Sequence, residues 1–346
     1  MTQREGPMRV LICENSSTYA AALRRSLEHD GDVVVAGTFE RADEAIEAVP
    51  RLRPDLVTMD IELPGMRGLE AVELIMSSCP VPILVLSAHI GPDHEGAAAV
   101  LAAGALAAMS KDDLDLRDPA GAAAAAFRKR VGILSRAPVI RHPRARLGRR
   151  SRPKVSTRVV DVIGICASMG GPAALARVLG RLPASYGVPI LVVQHIAPGF
   201  TEGLVKWLDS TIDLPVSLAR SGAPFAAGVS VAPEGASLLV RANSTLALDR
   251  RTATGRHRPS GDALFHSMAA AFGPRAAAVV LTGMGSDGAE GAQAVRSAGG
   301  LVIAQDEAGS VVYGMPRAAA SDAHAVLTLD EIARQLSAFA PAKVAR

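Results

Sequence analysis

Residues 275–299 read RAAAVVLTGMGSDGAEGAQAVRSAG. The apolar run up to Thr282 has the length and composition of a buried strand, the glycines turn the chain, and a helical pattern follows. Strand, turn and helix in this order form the repeating unit of a parallel sheet covered on both faces, where chemistry collects at the C-terminal strand ends. Gly283, Gly285 and Gly288 also fit G-x-G-x-x-G, with Asp306 about twenty residues on, so one reading is a nucleotide-binding oxidoreductase. Asp287 argues against it, because a carboxylate inside that loop would repel a doubly negative pyrophosphate. Beside a histidine, the same carboxylate would fix the tautomer and stabilise the imidazolium.

A histidine and a nucleophile stand in matching positions. VVDVIGICAS, residues 159–168, reads as a strand delivering Ser168, and MGGPAALARVLGRL opens a helix with Pro172 in its first turn. Ala167, Gly170 and Gly171 supply the small residues of a nucleophile elbow, although the G-x-S-x-G spacing is not met. Alone, Ser168 would read as a helix N-cap. The next strand, within VPILVVQHIAPGF, ends at His195, so adjacent parallel strands would bring Ser168, His195 and Asp287 to one rim. The order Ser, His, Asp differs from that of the α/β-hydrolases, chymotrypsin and subtilisin.

At 346 residues the chain suits two domains, each able to bury its own core. Of its 37 Lys and Arg, twelve fall between Arg128 and Arg158, and no acid occurs from Pro119 to Val160. This basic, proline-containing strip without hydrophobic period reads as a linker over 128–156, between domains at 8–127 and 157–346. It would suit nucleic acid or acidic lipid, but a solvated tether kept extended by like charges explains it more simply, and no nucleic-acid partner is expected. No stretch of about 18 uncharged apolar residues occurs, so the expectation is a cytoplasmic protein without membrane insertion. Cys13, Cys79 and Cys166 lie in or beside expected strands without C-x-x-C spacing, which predicts reduced, buried thiols.

The N-terminal half alternates apolar runs (RVLIC, VVVAG, DLVTMD, PILVLS, LAAMS) with helical patterns, which predicts five parallel strands. Polar residues stand at the strand ends: Glu14 and Asn15, Asp60, Ser87 and Lys111. Acid, central carboxylate, hydroxyl and ammonium are what reversible phosphorylation of Asp60 requires, with a magnesium ion held by Glu14 and Asp60. From about Arg9 to Asp112, and most specifically in DIELPGMRGLE, this half resembles the flavodoxin-like receiver domain of bacterial response regulators. It departs at Asn15, where such domains carry a second acid, at Leu106, Ala107 and Ala108, where a switch aromatic is usual, and after Lys111, where no proline follows. Two readings stay open: Asp60 as phosphoacceptor, or a receiver kept as a docking or inhibitory module.

In the C-terminal half, CASMGGP, VVQHIAPGFT, GRHRPSGDALFHS and VVLTGMGSDGAEG are similar to the catalytic domain of the bacterial chemotaxis protein-glutamate methylesterase/protein-glutamine glutaminase (CheB) family, which also carries an N-terminal receiver. The resemblance covers nearly the whole chain outside residues 128–156 and implies a doubly wound parallel α/β hydrolytic domain. Nucleophile, general base and orienting acid fall on Ser168, His195 and Asp287. The backbone amides of Met169, where the family usually has a small or hydroxyl side chain, and of Met284 would form the oxyanion hole. The resemblance implies a phosphoprotein enzyme acting on methyl-accepting chemoreceptors under a histidine kinase, with no cofactor for the esterase and Mg2+ for the receiver. The segment from Arg256 to Ser267 would line the substrate groove, with His257 and His266 structural. The rival classes are the oxidoreductase built on GMGSDG and a non-catalytic signalling adaptor.

Overall fold

The computed structural model describes residues 6–88, 99–101, 103–137, 159–250 and 257–339. The chain forms two compact units, Met1–Ala145 and Arg146–Arg346.

In the first unit β1 (Met8–Cys13), β2 (Val33–Phe39), β3 (Leu56–Asp60), β4 (Ile83–Ser87) and β5 (Ala107–Ser110) form one parallel sheet in the order β2-β1-β3-β4-β5. Every residue of β3 and β4 is buried, as a sheet covered on both faces requires. The cover includes α1 (Ser17–Glu28), α2 (Ala42–Leu52), α3 (Gly68–Ser78) and α4 (Ala122–Leu134).

The last of these corrects the expected linker, whose first seven residues are helical. Phe127, Val131 and Leu134 form an apolar stripe at helical spacing and are buried. Arg128 is buried with them: its Nε lies 2.6 Å from Asp30 Oδ2 and its Nη1 donates to the carbonyls of Ser26 and Pro119. Charge density alone hid this stripe, because three basic residues in succession look like the start of the tether. Residues 138–156 of the expected linker lie outside the described residues.

The second unit holds β6 (Val162–Ala167), β7 (Ile190–Gln194), β8 (Val216–Leu218), β9 (Val229–Val231), β12 (Ala276–Val280), β13 (Leu301–Gln305) and β14 (Ala325–Leu327) in one parallel sheet ordered β14-β13-β12-β6-β7-β9-β8. Successive residues of β6 point to opposite faces. Ile163, Ile165 and Ala167 join a core with α5 (Gly171–Leu179), α6 (Thr201–Thr211) and α10 (Leu329–Ser337). Val162 and Cys166 join a second core with α7 (Gly261–Phe272), α8 (Ala289–Ser297) and α9 (Met315–Ala319). An antiparallel pair, β10 (Ser237–Val240) and β11 (Leu246–Asp249), adds Leu238, Val240 and Leu246 to that core, an element the period of the sequence did not announce. The chain winds outward from β6 through β7 and returns to β12 on its other side, so strand order reverses at β6. In doubly wound sheets that reversal opens a crevice above the strand ends.

Cys13 and Cys166 are buried in strands, whereas Cys79 caps the C-terminus of α3 and is partly exposed, which corrects the expectation of three buried thiols. Burial, followed by the charge of Asp60, pushes the Cys13 thiol up to about 12. Burial likewise raises Cys166, with Asp287 adding to it. A thiolate is the form that reacts. Native protein treated with an alkylating agent at pH 7.5 or so should therefore label at Cys79 alone, and Cys13 or Cys166 should react only after unfolding; equal labelling of the three in the native state would contradict this.

Candidate active site

Ser168, His195 and Asp287 follow β6, β7 and β12, the three neighbouring strands at the reversal. Backbone bonds tie the rim together: Ser168 N–H donates to the Thr282 carbonyl at 3.0 Å and His195 N–H to the Ala167 carbonyl at 2.9 Å. Helix α5 starts after Gly170, which takes the N-cap position in the left-handed region, so Ser168 is not the cap. Its hydroxyl makes no hydrogen bond to another described residue, and Ser168 Oγ and His195 are brought to one rim without a direct bond between them. Catalytic hydrogen bonds often tighten only when substrate is bound.

The Asp287 carboxylate is the most heavily bonded group on the rim. Its Oδ2 accepts from Gly261 N–H at 2.7 Å and lies 2.8 Å from His195 Nε2. Its Oδ1 accepts from Ser260 Oγ at 3.0 Å and Asp262 N–H at 3.1 Å. Gly261 and Asp262 open α7, so the anion sits on the positive end of a helix dipole. Burial alone would raise this carboxyl, but the close approach of His195 and the bonds from Gly261 and Asp262 outweigh it and hold the group well below the usual carboxylate range. The contact with Nε2 is close but off the N–H axis of the imidazole.

Two amides at the site are uncommitted: neither Met169 N–H nor Met284 N–H donates to a described residue. The peptide after Ser168 is held in place, since Thr282 Oγ1 donates to the Met169 carbonyl at 2.9 Å while Thr282 N–H donates to Gln305 Oε1 at 2.8 Å. Gly283 touches this turn closely. A Cβ there would stand 2.7 Å from Ser168 Cβ, so the glycine lets the β12 loop approach Ser168. The loop is thus filled by Ser168 and Met315, and Asp306 closes its own turn by accepting from Gly309 N–H. These contacts do not favour the dinucleotide reading.

Several site residues were not anticipated. His257, read as structural, stacks on His195 with ring centroids 4.6 Å apart and planes 22° apart. His266 is exposed on α7. Asp262 is pushed up to about 6, first by burial and then by the charge of Asp287. Gln194 donates to the carbonyls of both Ser168 and His195. Ser260, Asp262 and His257 all lie in the GRHRPSGDALFHS stretch, whose density of polar residues beside a helix start was the available signal. Cys166, His195 and Asp287 bring three ligand atoms within 4.8 Å of one another. Burial raises the thiol, and the carboxylate already accepts from Ser260, Gly261 and Asp262.

In the first unit Glu14 and Asp60 stand at the ends of β1 and β3 and share the Lys111 ammonium, at 2.6 and 2.7 Å. Lys111 also lies 4.8 Å from the centroid of the Tyr19 ring. Burial raises the Glu14 carboxyl against the pull of Lys111. Burial would lower Lys111, but its bonds to Asp60 and Glu14 raise it overall. Ser87 is buried at the end of β4. Asn15 donates its amide to the Glu62 carbonyl at 2.7 Å.

Residues 163–336 match the CheB methylesterase family, and residues 10–116 the response regulator receiver domain family. The chain is 41% identical, over 97% of its length and 98% of the relative's, to protein-glutamate methylesterase/protein-glutamine glutaminase 4 of Myxococcus xanthus. It is 40% identical, over 95% of its length and 96% of the relative's, to protein-glutamate methylesterase/protein-glutamine glutaminase 2 of Anaeromyxobacter dehalogenans. The crystal structure of the Thermotoga maritima CheB methylesterase catalytic domain is 36% identical with a TM-score of 0.50, covering 52% of this chain and 98% of that domain. No helix among the described residues is long and apolar enough to cross a membrane. With a receiver at one end and a Ser, His and Asp rim on a parallel sheet at the other, this chain belongs to the CheB family of protein-glutamate methylesterases/protein-glutamine glutaminases.

Proposed function

We propose that the second unit hydrolyses glutamate γ-methyl esters on the cytoplasmic helices of methyl-accepting chemoreceptors, and deamidates specific glutamines there, by a Ser168, His195 and Asp287 triad. Ser168 Oγ attacks the side-chain carbonyl while its proton passes to His195. Because Nε2 faces Asp287, Nδ1 is the nitrogen that takes the proton. The oxyanion is received by the Met169 and Met284 amides, and one such donor is worth roughly 2.7–4 kcal/mol. His195 returns the proton to the leaving methanol, or ammonia for glutamine, and water then releases the glutamate from Ser168. The observation that carries this reading is the 2.8 Å approach of His195 Nε2 to a buried carboxylate that three further protein donors, Ser260, Gly261 and Asp262, help hold ionised, on the strand rim that bears Ser168. Methanol release from methylated receptor membranes tests it: release by wild type and only a small residue of it in Ser168→Ala is expected, and release near the wild-type rate in Ser168→Ala would sink it.

We propose further that the first unit restrains this esterase in the cytoplasm and is phosphorylated at Asp60 by a histidine kinase. Glu14 and Asp60 offer hard carboxylate oxygens on neighbouring strand ends, which suit Mg2+, although Asn15 supplies an amide in place of a third carboxylate. The ion, when bound, would offset charge on the transferred phosphoryl group, and Ser87 and Lys111 would bind its oxygens. The fragment 155–346 should therefore be more active than the full chain on the same membranes. Phosphodonor with magnesium should stimulate the full chain weakly, and Asn15→Asp should strengthen that response. If the fragment is no more active, restraint is wrong and the receiver serves docking.

A further inference from the structure

We propose that Gln194 is a positioning residue for the hydrolysis, its carboxamide clamping the main chain under the nucleophile and the base at one separation. The inference rests on the triad reading above. Gln194 is the last residue of β7 and pairs in register with Ala167, the residue before Ser168. The bond from His195 N–H to the Ala167 carbonyl is the last rung between these strands, since both chains then turn away. The side chain of Gln194 adds the next one. Its Nε2 donates to the Ser168 carbonyl at 2.7 Å and to the His195 carbonyl at 2.8 Å, one donation for each hydrogen of the NH2 group.

The rest of its surroundings argues against a role in packing alone. Gln194 is 3% exposed, and Oε1 has no hydrogen-bond partner. A buried polar atom without a partner is a cost to the fold, one that an apolar side chain of the same length would remove. Gly171 makes room for that oxygen, because a Cβ there would collide with it. The Ser168 carbonyl also accepts from Gly171 N–H at 2.9 Å, so losing the amide would not orphan it. What the amide uniquely provides is the tie between the two catalytic residues, and small displacements of reacting groups are costly, on the order of 10²-fold for 1 Å.

The test uses the full chain with methylated receptor membranes, and a phosphonofluoridate that labels an activated serine. Gln194→Met, of similar shape without donors, should lower kcat by about 10- to 100-fold and slow Ser168 labelling alike, with KM within about twofold, because Gln194 does not reach the substrate. In Gln194→Glu the introduced carboxyl can donate only when protonated, so its activity relative to wild type should rise as pH falls from about 8 to about 6. A purely structural residue would change melting temperature without that split or that pH trend. Folded Gln194→Met with kcat and labelling near wild type overturns the proposal. Should that variant fail to fold, a Gln194→Glu/wild-type ratio near one at every pH overturns it equally. Wild type that neither releases methanol nor labels at Ser168 would instead remove the triad reading, and this inference with it.

Discussion

Ser168→Ala is expected to lower kcat for methanol release by about 10⁴-fold or more, with His195→Ala nearly as severe and the double variant no worse than the poorer single one. The expectation follows from the proposed triad acting as a unit. Without the hydroxyl there is no acyl-enzyme, and without the imidazole the hydroxyl keeps its proton, so either loss disables the same step. The residue left behind then has nothing to act on, and the second substitution removes nothing further. Residual turnover would come from the Met169 and Met284 amides and from binding. KM should change little, since in the proposed triad Ser168, packed against Gly283, would serve the transition state rather than receptor docking. Losses that multiply in the double variant would show that Ser168 and His195 act separately.

Asp287→Asn should cost about 10⁴-fold in kcat, the scale expected when the orienting carboxylate becomes an amide and fixes the wrong imidazole tautomer. Stability should fall as well. The carboxylate accepts from Ser260, Gly261 and Asp262 at the start of α7, and an amide NH2 turned toward those donors would oppose at least one of them. Because its bonds hold Asp287 below the usual range, its contribution to stability is complete above about pH 4 and is lost as the pH falls through its folded value. The stability gap between wild type and variant should thus be widest above about pH 4 and narrow below it. Asp262 behaves in the opposite sense. Raised to about 6, it favours the folded state while protonated, and that contribution is lost as pH rises from about 4 through about 6. Removing the charge of Asp287 should shrink this second effect. Urea denaturation at several pH values between about 3 and 7 measures both, and an Asp287→Asn variant with a tenth of wild-type kcat would show that the carboxylate does not orient the base.

The fold was legible because its cause is local and repetitive. Runs such as VIGIC, ILVVQ and AAAVV are apolar on both faces, and only a sheet covered on both sides buries all of them. The first two runs lead into Ser168 and His195 and the third into the loop that carries Asp287, and parallel pairing brings the strand ends to one edge, so the rim could be read before any distance was known. The gathering of Glu14, Asp60 and Lys111, and the placing of Ser87, at strand ends of the receiver was legible for the same reason. Helix α4 and the β10–β11 pair were missed where a short apolar stripe lay under a basic run or within an irregular segment.

What residue order determined by itself is therefore which side chains reach the strand ends, since that depends on period and on backbone pairing. Tertiary structure alone decided how they meet: that Asp287 lies on the start of α7, that His257 covers the ring of His195, that Asn15 turns to the Glu62 carbonyl, and that Gln194 joins the two carbonyls. These contacts hang on hydrogen-bond angles and ring planes between segments as many as 62 residues apart, as from His195 to His257. Hydrophobic patterning carries no information at that precision, because burying apolar surface is non-directional, whereas a hydrogen bond weakens steeply once its donor is misaligned.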